Sequence, residues 1–266
     1  KGSKFLYVVL LAVFVMSLIA TSSRGGFLGL LAVAAYCWFY SPKKLMSLLL
    51  GLCLAGLVSI AAPQEYWDRI SSITEDKTME EGTAGQRVFT WGIGWEMFLD
   101  NPMFGVGQGN FPWAIGEYMG GRTWQTKSLA GRQAHSLYFT LLPELGLVGV
   151  MIFGAMVYVN YRDTRVKNLV LRTSSAVSAR RDEADIQDLQ ISRATLYGNA
   201  ILGGMIGYLA TSTFISTLYY PTFWIMMALA VALRNTTQGY AESQPQGFAR
   251  RVATRVSPWM RPRPVS

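Results

Sequence analysis

Residues 137–158 read LYFTLLPELGLVGVMIFGAMVY, the stretch that decides the fold. Its one charged side chain is Glu144, and about 20 apolar residues are enough to cross the hydrocarbon core of a bilayer as a helix. Five further apolar blocks lie at residues 5–20, 27–40, 45–62, 196–215 and 219–233. Charged residues make up 15% of the chain, against about 25% in soluble proteins. The sequence therefore predicts an all-α fold, a polytopic transmembrane bundle of about six helices, and not a soluble globular domain.

The basic residues indicate how these helices are oriented. Lys and Arg gather in the connector between the second and third blocks, in the connector between the fourth and fifth, and in the carboxy-terminal tail. Membrane proteins concentrate Lys and Arg in cytoplasmic segments, so the long polar loop should lie outside. The net charge of +8 then reflects topology, and we expect no nucleic-acid partner. The predicted divisions are three helices in 1–62, the outer loop in 63–136, three helices with a basic connector in 137–233, and a disordered basic tail in 234–266.

The outer loop contains one helical pattern. Five apolar residues recur at the spacing of a helix face: Val88, Trp91, Trp95, Phe98 and Leu99. Because tryptophans on an apolar face suit the membrane–water interface, we predict an interfacial helix that begins at Arg87 and contacts membrane lipids. Asn101-Pro102 should end this helix. The glycine-rich segment 105–111 is predicted to be a turn, since a dinucleotide fingerprint would need a preceding strand.

Cysteine and histidine are scarce in this chain. Cys37 and Cys53 both lie in apolar blocks, which argues against a disulfide framework, and the single histidine, His135, cannot form a His-rich metal site. We therefore expect no metal. The chain begins Lys1-Gly-Ser-Lys4 without Met and runs straight into an apolar block, so we expect it to be the carboxy-terminal portion of a longer protein.

Three basic residues fall on the predicted outer face or close to it: Arg24, Arg87 and His135. Arg24 lies in Thr21-Ser-Ser-Arg-Gly-Gly26, a turn of small residues in which backbone N–H groups and the guanidinium can both approach an anion. The alternative is an arginine that snorkels at the interface. Arg87 at a helix start is unfavourable beside the helix dipole unless an anion lies nearby. The alternative there is a solvated charge.

His135 is the natural general base if the protein is an enzyme, because it titrates near neutral pH. The alternative is a histidine hydrogen-bonded to backbone. Glu144 is a candidate because an ionisable group inside an apolar block is expensive to bury. Its alternative is a carboxyl paired with another helix at a kink caused by Pro143. Arg132 is a further candidate, as a supplement to a phosphate site.

Four segments, in this order, resemble the O-antigen ligase family, which includes O-antigen polymerases and bacterial protein O-oligosaccharyltransferases. They are Ser23-Arg-Gly-Gly-Phe-Leu-Gly29, then Gly85-Gln-Arg87, then DNPMFGVGQGNF at 100–111, and finally Ala134-His-Ser-Leu-Tyr138 leading into Gly146-Leu-Val-Gly149. The likeness runs from the first helix through the fourth. Members of the family have more helices than this sequence, so we expect an amino-terminal portion to be missing.

The resemblance implies a multi-pass enzyme of the bacterial inner membrane whose long loop is periplasmic. Such an enzyme moves a glycan from an undecaprenyl-pyrophosphate carrier to an acceptor hydroxyl, on lipid A-core in the ligases, without a metal or nucleotide cofactor. The family's essential residues carry over to Arg24 and Arg87, which bind the pyrophosphate, and to His135, the catalytic base of an inverting transfer.

Three alternatives stay open at this point. One is polymerase or protein O-oligosaccharyltransferase activity within the same family. Another, from a different class, is a non-catalytic subunit of polysaccharide export or transport. The third is a truncated bundle without activity of its own.

Overall fold

The computed structural model describes residues 2–21, 23–61, 64, 83–125, 128–165 and 181–243, and these contain helices and no strands. The helices are α1 (Gly2–Ala20), α2 (Arg24–Tyr40), α3 (Lys44–Ala61), α4 (Thr83–Asp100), α5 (Phe111–Met119), α6 (Tyr138–Thr164), α7 (Arg181–Thr211) and α8 (Pro221–Ser243), with a 3₁₀ turn at Ser212–Phe214. The predicted all-α class is confirmed.

Among the described helices, the 27-residue α6 alone is both long and apolar enough to cross a membrane. Shorter apolar stretches lie at Phe5–Leu18, Gly25–Tyr40 and Lys44–Cys53. The six predicted blocks therefore fall on helices, but the six-span bundle itself stays a prediction. Residues 65–82, 166–180 and 244–266, which hold part of the predicted outer loop, part of the basic connector and most of the tail, lie outside the described residues.

The chain divides into two compact units, Lys1–Met151 with Ile206–Tyr219, and Ile152–Met205 with Tyr220–Ser266. The first unit has a core between α4 and α5, built from Ile93, Met97, Phe111, Ile115, Met119, Leu129 and Ala134. Each large apolar side chain buried in this core contributes about 1.5–3 kcal/mol of hydrophobic free energy. Their burial therefore holds α4 and α5 together. An ion pair from Arg122 on the loop after α5 to Glu96 on α4 adds to the same contact.

Helix α4 begins one turn earlier than predicted, at Thr83, and ends at Asp100 as Asn101-Pro102 indicated. Its apolar residues also divide into two groups. Val88, Trp95 and Leu99 are exposed, whereas Phe98 is buried and the Trp91 ring stacks on Phe139 with centroids 4.9 Å apart. The outward stripe follows from the 3.6-residue period, which places the i, i+7 and i+11 positions on one line.

Helix α6 is broken at Gly146, whose φ of 61° is left-handed, and not at Pro143, where the alternative explanation of Glu144 placed a kink. A Cβ at Gly146 would lie 2.5 Å from the carbonyl oxygen of Met103, so only glycine fits. Beside the break, backbone hydrogen bonds join α6 to the loop after α4: Val106 N–H to Pro143 O at 2.8 Å, Leu147 N–H to Pro102 O at 2.9 Å and Val148 N–H to Met103 O at 3.1 Å. The loop and the helix break thus stabilise each other.

The amino-terminal end of α2 packs closely on the carboxy-terminal end of α7 through glycines. A Cβ at Gly25 would lie 3.3 Å from the carbonyl oxygen of Thr211, and one at Gly207 would lie 2.6 Å from Val33. Gly25 and Gly29 are four residues apart, the spacing at which small residues let two helix backbones approach. This contact brings the start of α2 to the 3₁₀ turn.

In the second unit, Asp163 near the end of α6 is buried and pairs with two arginines. Its carboxylate oxygens lie 3.1 Å from Nε of Arg162 and 3.3 Å from a terminal nitrogen of Arg234 on α8. The Nδ2 group of Asn160, also buried, donates to the carbonyl of Met226 at 3.1 Å. These bonds attach α8 to the end of α6, and α8 continues to Ser243, beyond the apolar block that ends near residue 233.

Candidate functional site

His135 lies three residues before α6 and has a φ of 51°, in the left-handed region. A residue with a Cβ adopts this conformation at a cost of about 1–3 kcal/mol, which the surrounding contacts must supply. The backbone is anchored on both sides of this residue, at Ala134 and at Leu137. The Trp91 Nε1–H donates to the carbonyl of Ala134 at 2.8 Å, and the Leu137 N–H donates to the carbonyl of Ser212 at 2.8 Å. The backbone is therefore held on each side of His135, while the residue itself is exposed.

The pKa of His135 lies below the usual value for histidine. Desolvation by surrounding protein atoms is the largest cause, followed by the positive charges of Arg87 and Arg132. All three disfavour the imidazolium form. His135 is therefore kept neutral at neutral pH, with a ring nitrogen able to accept a proton.

Arg87 lies in the second turn of α4, half-buried, and not at the helix start where the sequence placed it. The polar first turn was missed because helical periodicity becomes visible only at the first apolar position, Val88. The Arg87 guanidinium carbon is 5.9 Å from the centre of the Phe214 ring. This is the distance at which a cation interacts with the face of an aromatic ring.

Arg24 is the first residue of α2 and so lies at a helix amino terminus, whereas the sequence placed it in a turn before the apolar block that begins at residue 27. The Ser23 side chain accepts a hydrogen bond from the Gly26 N–H at 3.1 Å and caps the helix. The side chain of Arg24 lies outside the described part of the chain. Its neighbour Gly25 is described, and a Cβ there would lie 3.5 Å from the Cβ of Phe214.

Glu144 is buried in α6 and binds three groups at the base of the loop. Its carboxylate accepts hydrogen bonds from the Gly109 N–H at 2.8 Å, the Phe111 N–H at 3.0 Å and the Tyr219 hydroxyl. Two of these partners are backbone groups that flank the start of α5. Glu144 therefore holds this loop in place. The alternative of a paired carboxyl is close to this arrangement, but the partners are two backbone N–H groups and a tyrosine in place of another helix.

Arg132 is exposed and lies three residues before His135. Its charge contributes to the low pKa of that histidine. Of the five residues named from the sequence, Arg87 and Arg132 are thus both close enough to His135 for their charges to act on it. The start of α2, where Arg24 lies, reaches the same region through Gly25 and Phe214.

The sequence did not identify residues 206–219 as part of the candidate site. This segment supplies Phe214, which also lies 6.3 Å from the Trp91 ring, the carbonyl of Ser212 that binds the residue after Ser136, and Tyr219 beside Glu144. Two signals were available. This connector falls on the predicted outer side when six helices alternate, and the stretch Thr211-Ser-Thr-Phe-Ile-Ser-Thr217 is unusually rich in hydroxyls for a boundary between two apolar blocks.

A family model described as O-antigen ligase matches residues 7–154, more than half of the chain. The match includes Arg24, Arg87, Arg132, His135 and Glu144, and it ends before the segment 206–219. No individual curated protein matches the chain.

Proposed function

Because the chain belongs to the O-antigen ligase family, we propose that it moves a glycan from an undecaprenyl-pyrophosphate carrier to an acceptor hydroxyl, such as one of lipid A-core. Proteins of this family are membrane proteins with a ligase- or polymerase-like, glycosyltransferase-like role. The donor, the acceptor, the inner-membrane location and the periplasmic side of the reaction are parts of the proposal. So are the multi-pass topology and the metal-independent, inverting mechanism.

The single observation that carries this proposal is the 2.8 Å hydrogen bond from Trp91 Nε1–H to the carbonyl of Ala134, which ties the helix of Arg87 to the residue before His135. The charge of Arg87 acts on the imidazole and contributes to its lowered pKa. A fixed cation beside a neutral base is the pairing that transfer from a diphosphate requires. The cation meets the charge that develops on the leaving group, and the base accepts the proton of the nucleophile.

The negative charge that develops on the leaving pyrophosphate is best stabilised by guanidinium groups. As the bond between the anomeric carbon and the pyrophosphate oxygen breaks, its electron pair passes to the pyrophosphate. Arginine binds phosphate oxygens through two parallel N–H groups and keeps its charge at any physiological pH. We assign this role to Arg87 and to Arg24, whose position at the start of α2 adds the positive end of a helix dipole.

The acceptor hydroxyl, which is the nucleophile, needs one general base to take its proton. In the proposed step, a neutral His135 nitrogen accepts the acceptor's hydroxyl proton while that oxygen attacks the anomeric carbon from the face opposite the pyrophosphate. The configuration is inverted, and His135 later releases the proton to water. The pyrophosphate leaves as a stabilised anion, so this chemistry does not require a general acid.

The exposed apolar stripe on α4 supports the proposed location of the reaction at a membrane surface. Val88, Trp95 and Leu99 are 64%, 47% and 58% exposed on one helix line. Apolar and tryptophan side chains at the interface sit at the level of lipid headgroups, where a carrier lipid presents its pyrophosphate. We therefore assign this stripe to contact with membrane lipids.

The proposal is tested by restoring the full-length gene, as wild type, His135→Ala or Arg87→Ala, to a strain that lacks it. Loss of a general base costs about 10²–10⁴ in rate, so His135→Ala should abolish capped lipopolysaccharide or surface polymer at normal protein abundance. Arg122→Gln is the matched control, because Arg122 is an arginine of the same unit that pairs with Glu96. Full glycan transfer by His135→Ala would show that the proposed mechanism is wrong.

A further inference from the structure

We infer that Phe214 is a positioning residue for the pyrophosphate site, because its ring lies against the Arg87 guanidinium and its Cβ lies beside the start of α2. The inference rests on the proposed function and names a residue outside the matched region 7–154. It makes the segment between α7 and α8 part of the site.

Phe214 contacts two parts of the candidate site at once. The centre of its ring lies 5.9 Å from the guanidinium carbon of Arg87, and its Cβ lies 3.5 Å from the position a Cβ would take at Gly25. The same ring is tilted against Trp91, one helical turn after Arg87, with centroids 6.3 Å apart. One side chain therefore fixes the separation between α4 and the first turn of α2, where the two proposed pyrophosphate-binding arginines lie.

The backbone that carries Phe214 is held by hydrogen bonds on both sides. Before it, the carbonyl of Ser212 accepts from the Leu137 N–H at 2.8 Å, and the Ser212 hydroxyl lies 2.6 Å from that of Thr217. After it, the carbonyl of Thr217 accepts from the Tyr208 hydroxyl at 2.9 Å. A short turn with this many bonds keeps its aromatic side chain in one place, and the bond to Leu137 ties it to the segment of His135.

An aromatic ring suits this task better than a carboxylate would. A carboxylate would neutralise the arginine and occupy its N–H groups, which a phosphate must then displace. The ring face attracts the cation through its quadrupole, and this contact itself uses none of the N–H donors. The contact with Phe214 therefore does not itself compete with phosphate oxygens for the guanidinium.

The test is binding of glycan-free undecaprenyl pyrophosphate to the full chain in detergent. Phe214→Leu and Phe214→Met remove the ring and keep an apolar side chain, whereas Phe214→Tyr keeps the ring. Loss of a cation–ring contact corresponds to roughly a 2- to 30-fold increase in Kd, which we expect for Leu and Met but not for Tyr. Phe223→Leu is the matched control, since Phe223 is a buried phenylalanine of the second unit that stacks on Phe153.

A purely structural role would give a different pattern. It would lower thermal stability without changing Kd, or weaken binding as much in Phe223→Leu as in Phe214→Leu, and either result overturns the inference. In the transfer assay, the Leu variant should raise KM for the lipid-linked donor and leave KM for the acceptor unchanged. If wild type fails to bind the probe, the proposed function fails and the role of Phe214 with it. If wild type binds and both ringless variants bind equally well, only the role of Phe214 is refuted.

Discussion

The Glu144 carboxylate accepts a hydrogen bond from the backbone N–H of Phe111 at 3.0 Å, although the two residues are 33 positions apart. Phe111 is the first residue of α5 and belongs to the core of the first unit. This bond, with those from Gly109 and Tyr219, attaches the loop after α4 to the inside of α6.

Replacing Glu144 with Gln should lower the free energy of unfolding. Gln offers one oxygen and an NH₂ group where Glu144 offers two acceptor oxygens, so one buried N–H donor loses its partner. That loss costs about 1–3 kcal/mol, measurable as a lower midpoint of thermal unfolding in detergent. Glu117→Gln, an exposed position on α5, is the control and should have no such effect. An unchanged midpoint in Glu144→Gln would contradict the assigned hydrogen bonds.

Arg132→Gln should move the acidic limb of the pH–rate profile to higher pH. The charge of Arg132 lowers the pKa of His135 by disfavouring the protonated form, so its removal raises that pKa. A base with a higher pKa becomes protonated, and inactive, at a higher pH. The measurement is transfer rate against pH for the wild type, Arg132→Gln and the control Arg122→Gln, which should keep the wild-type profile. A shift to lower pH would contradict this electrostatic account.

His135→Gly and His135→Ala should separate backbone strain from chemistry. Both remove the proposed base, so both should lose transfer. Glycine tolerates the φ of 51° at this position, whereas alanine keeps a Cβ that disfavours left-handed backbone by about 1–2 kcal/mol. The Gly variant should therefore have the higher unfolding midpoint of the two, after allowance for the greater flexibility of unfolded glycine. Equal midpoints would mean that His135 carries no strain.

Gly146→Ala should prevent proper folding of the first unit. The new Cβ would require a left-handed conformation and would lie 2.5 Å from the backbone carbonyl of Met103, which cannot rotate away. Gly154→Ala on the same helix is the control, because a Cβ there meets nothing within 4 Å. In a helix interior that change should be neutral or stabilise by up to about 1 kcal/mol. The comparison is the yield of monodisperse protein after extraction, and normal yield of Gly146→Ala would contradict the described break.

The sequence predicted those features that depend on neighbouring residues. Apolar blocks located the long helices, and Asn101-Pro102 located the end of α4. Helix α5 was missed because nine residues are too few for periodicity, although Pro112 near its start and the left-handed Gly120 at its end are usual helix boundaries. The alternative for Glu144 included a kink at Pro143, because proline is the usual cause of a kink, whereas the break lies at Gly146, packed against Met103 and Phe104.

The candidate site was predicted in part for the same reason. Arg24, Arg87 and His135 lie in recognisable local sequences. Phe214 and Tyr219 do not, since their roles come from contacts with residues far away in the chain, such as Arg87 and Glu144. The two faces of α4 are a similar case. Periodicity found its apolar residues, but the partners Phe139 and Phe214 decide that Trp91 packs inside while Trp95 stays exposed.

The segment 206–219 also limits when contacts of the candidate site can form during translation. A ribosome delivers the chain from its amino terminus, and domains of membrane and soluble proteins alike assemble as their parts emerge. Until residues 206–219 are made, Arg87 and Trp91 lack Phe214, and the N–H of Leu137 beside the histidine lacks its acceptor on Ser212. A nascent chain that ends before residue 206 therefore contains Arg24, Arg87 and His135 but lacks the contacts that segment 206–219 makes with Arg87, Trp91 and Leu137. The contacts of Arg87, Trp91 and Leu137 with this segment can therefore form only after residues 206–219 have been translated.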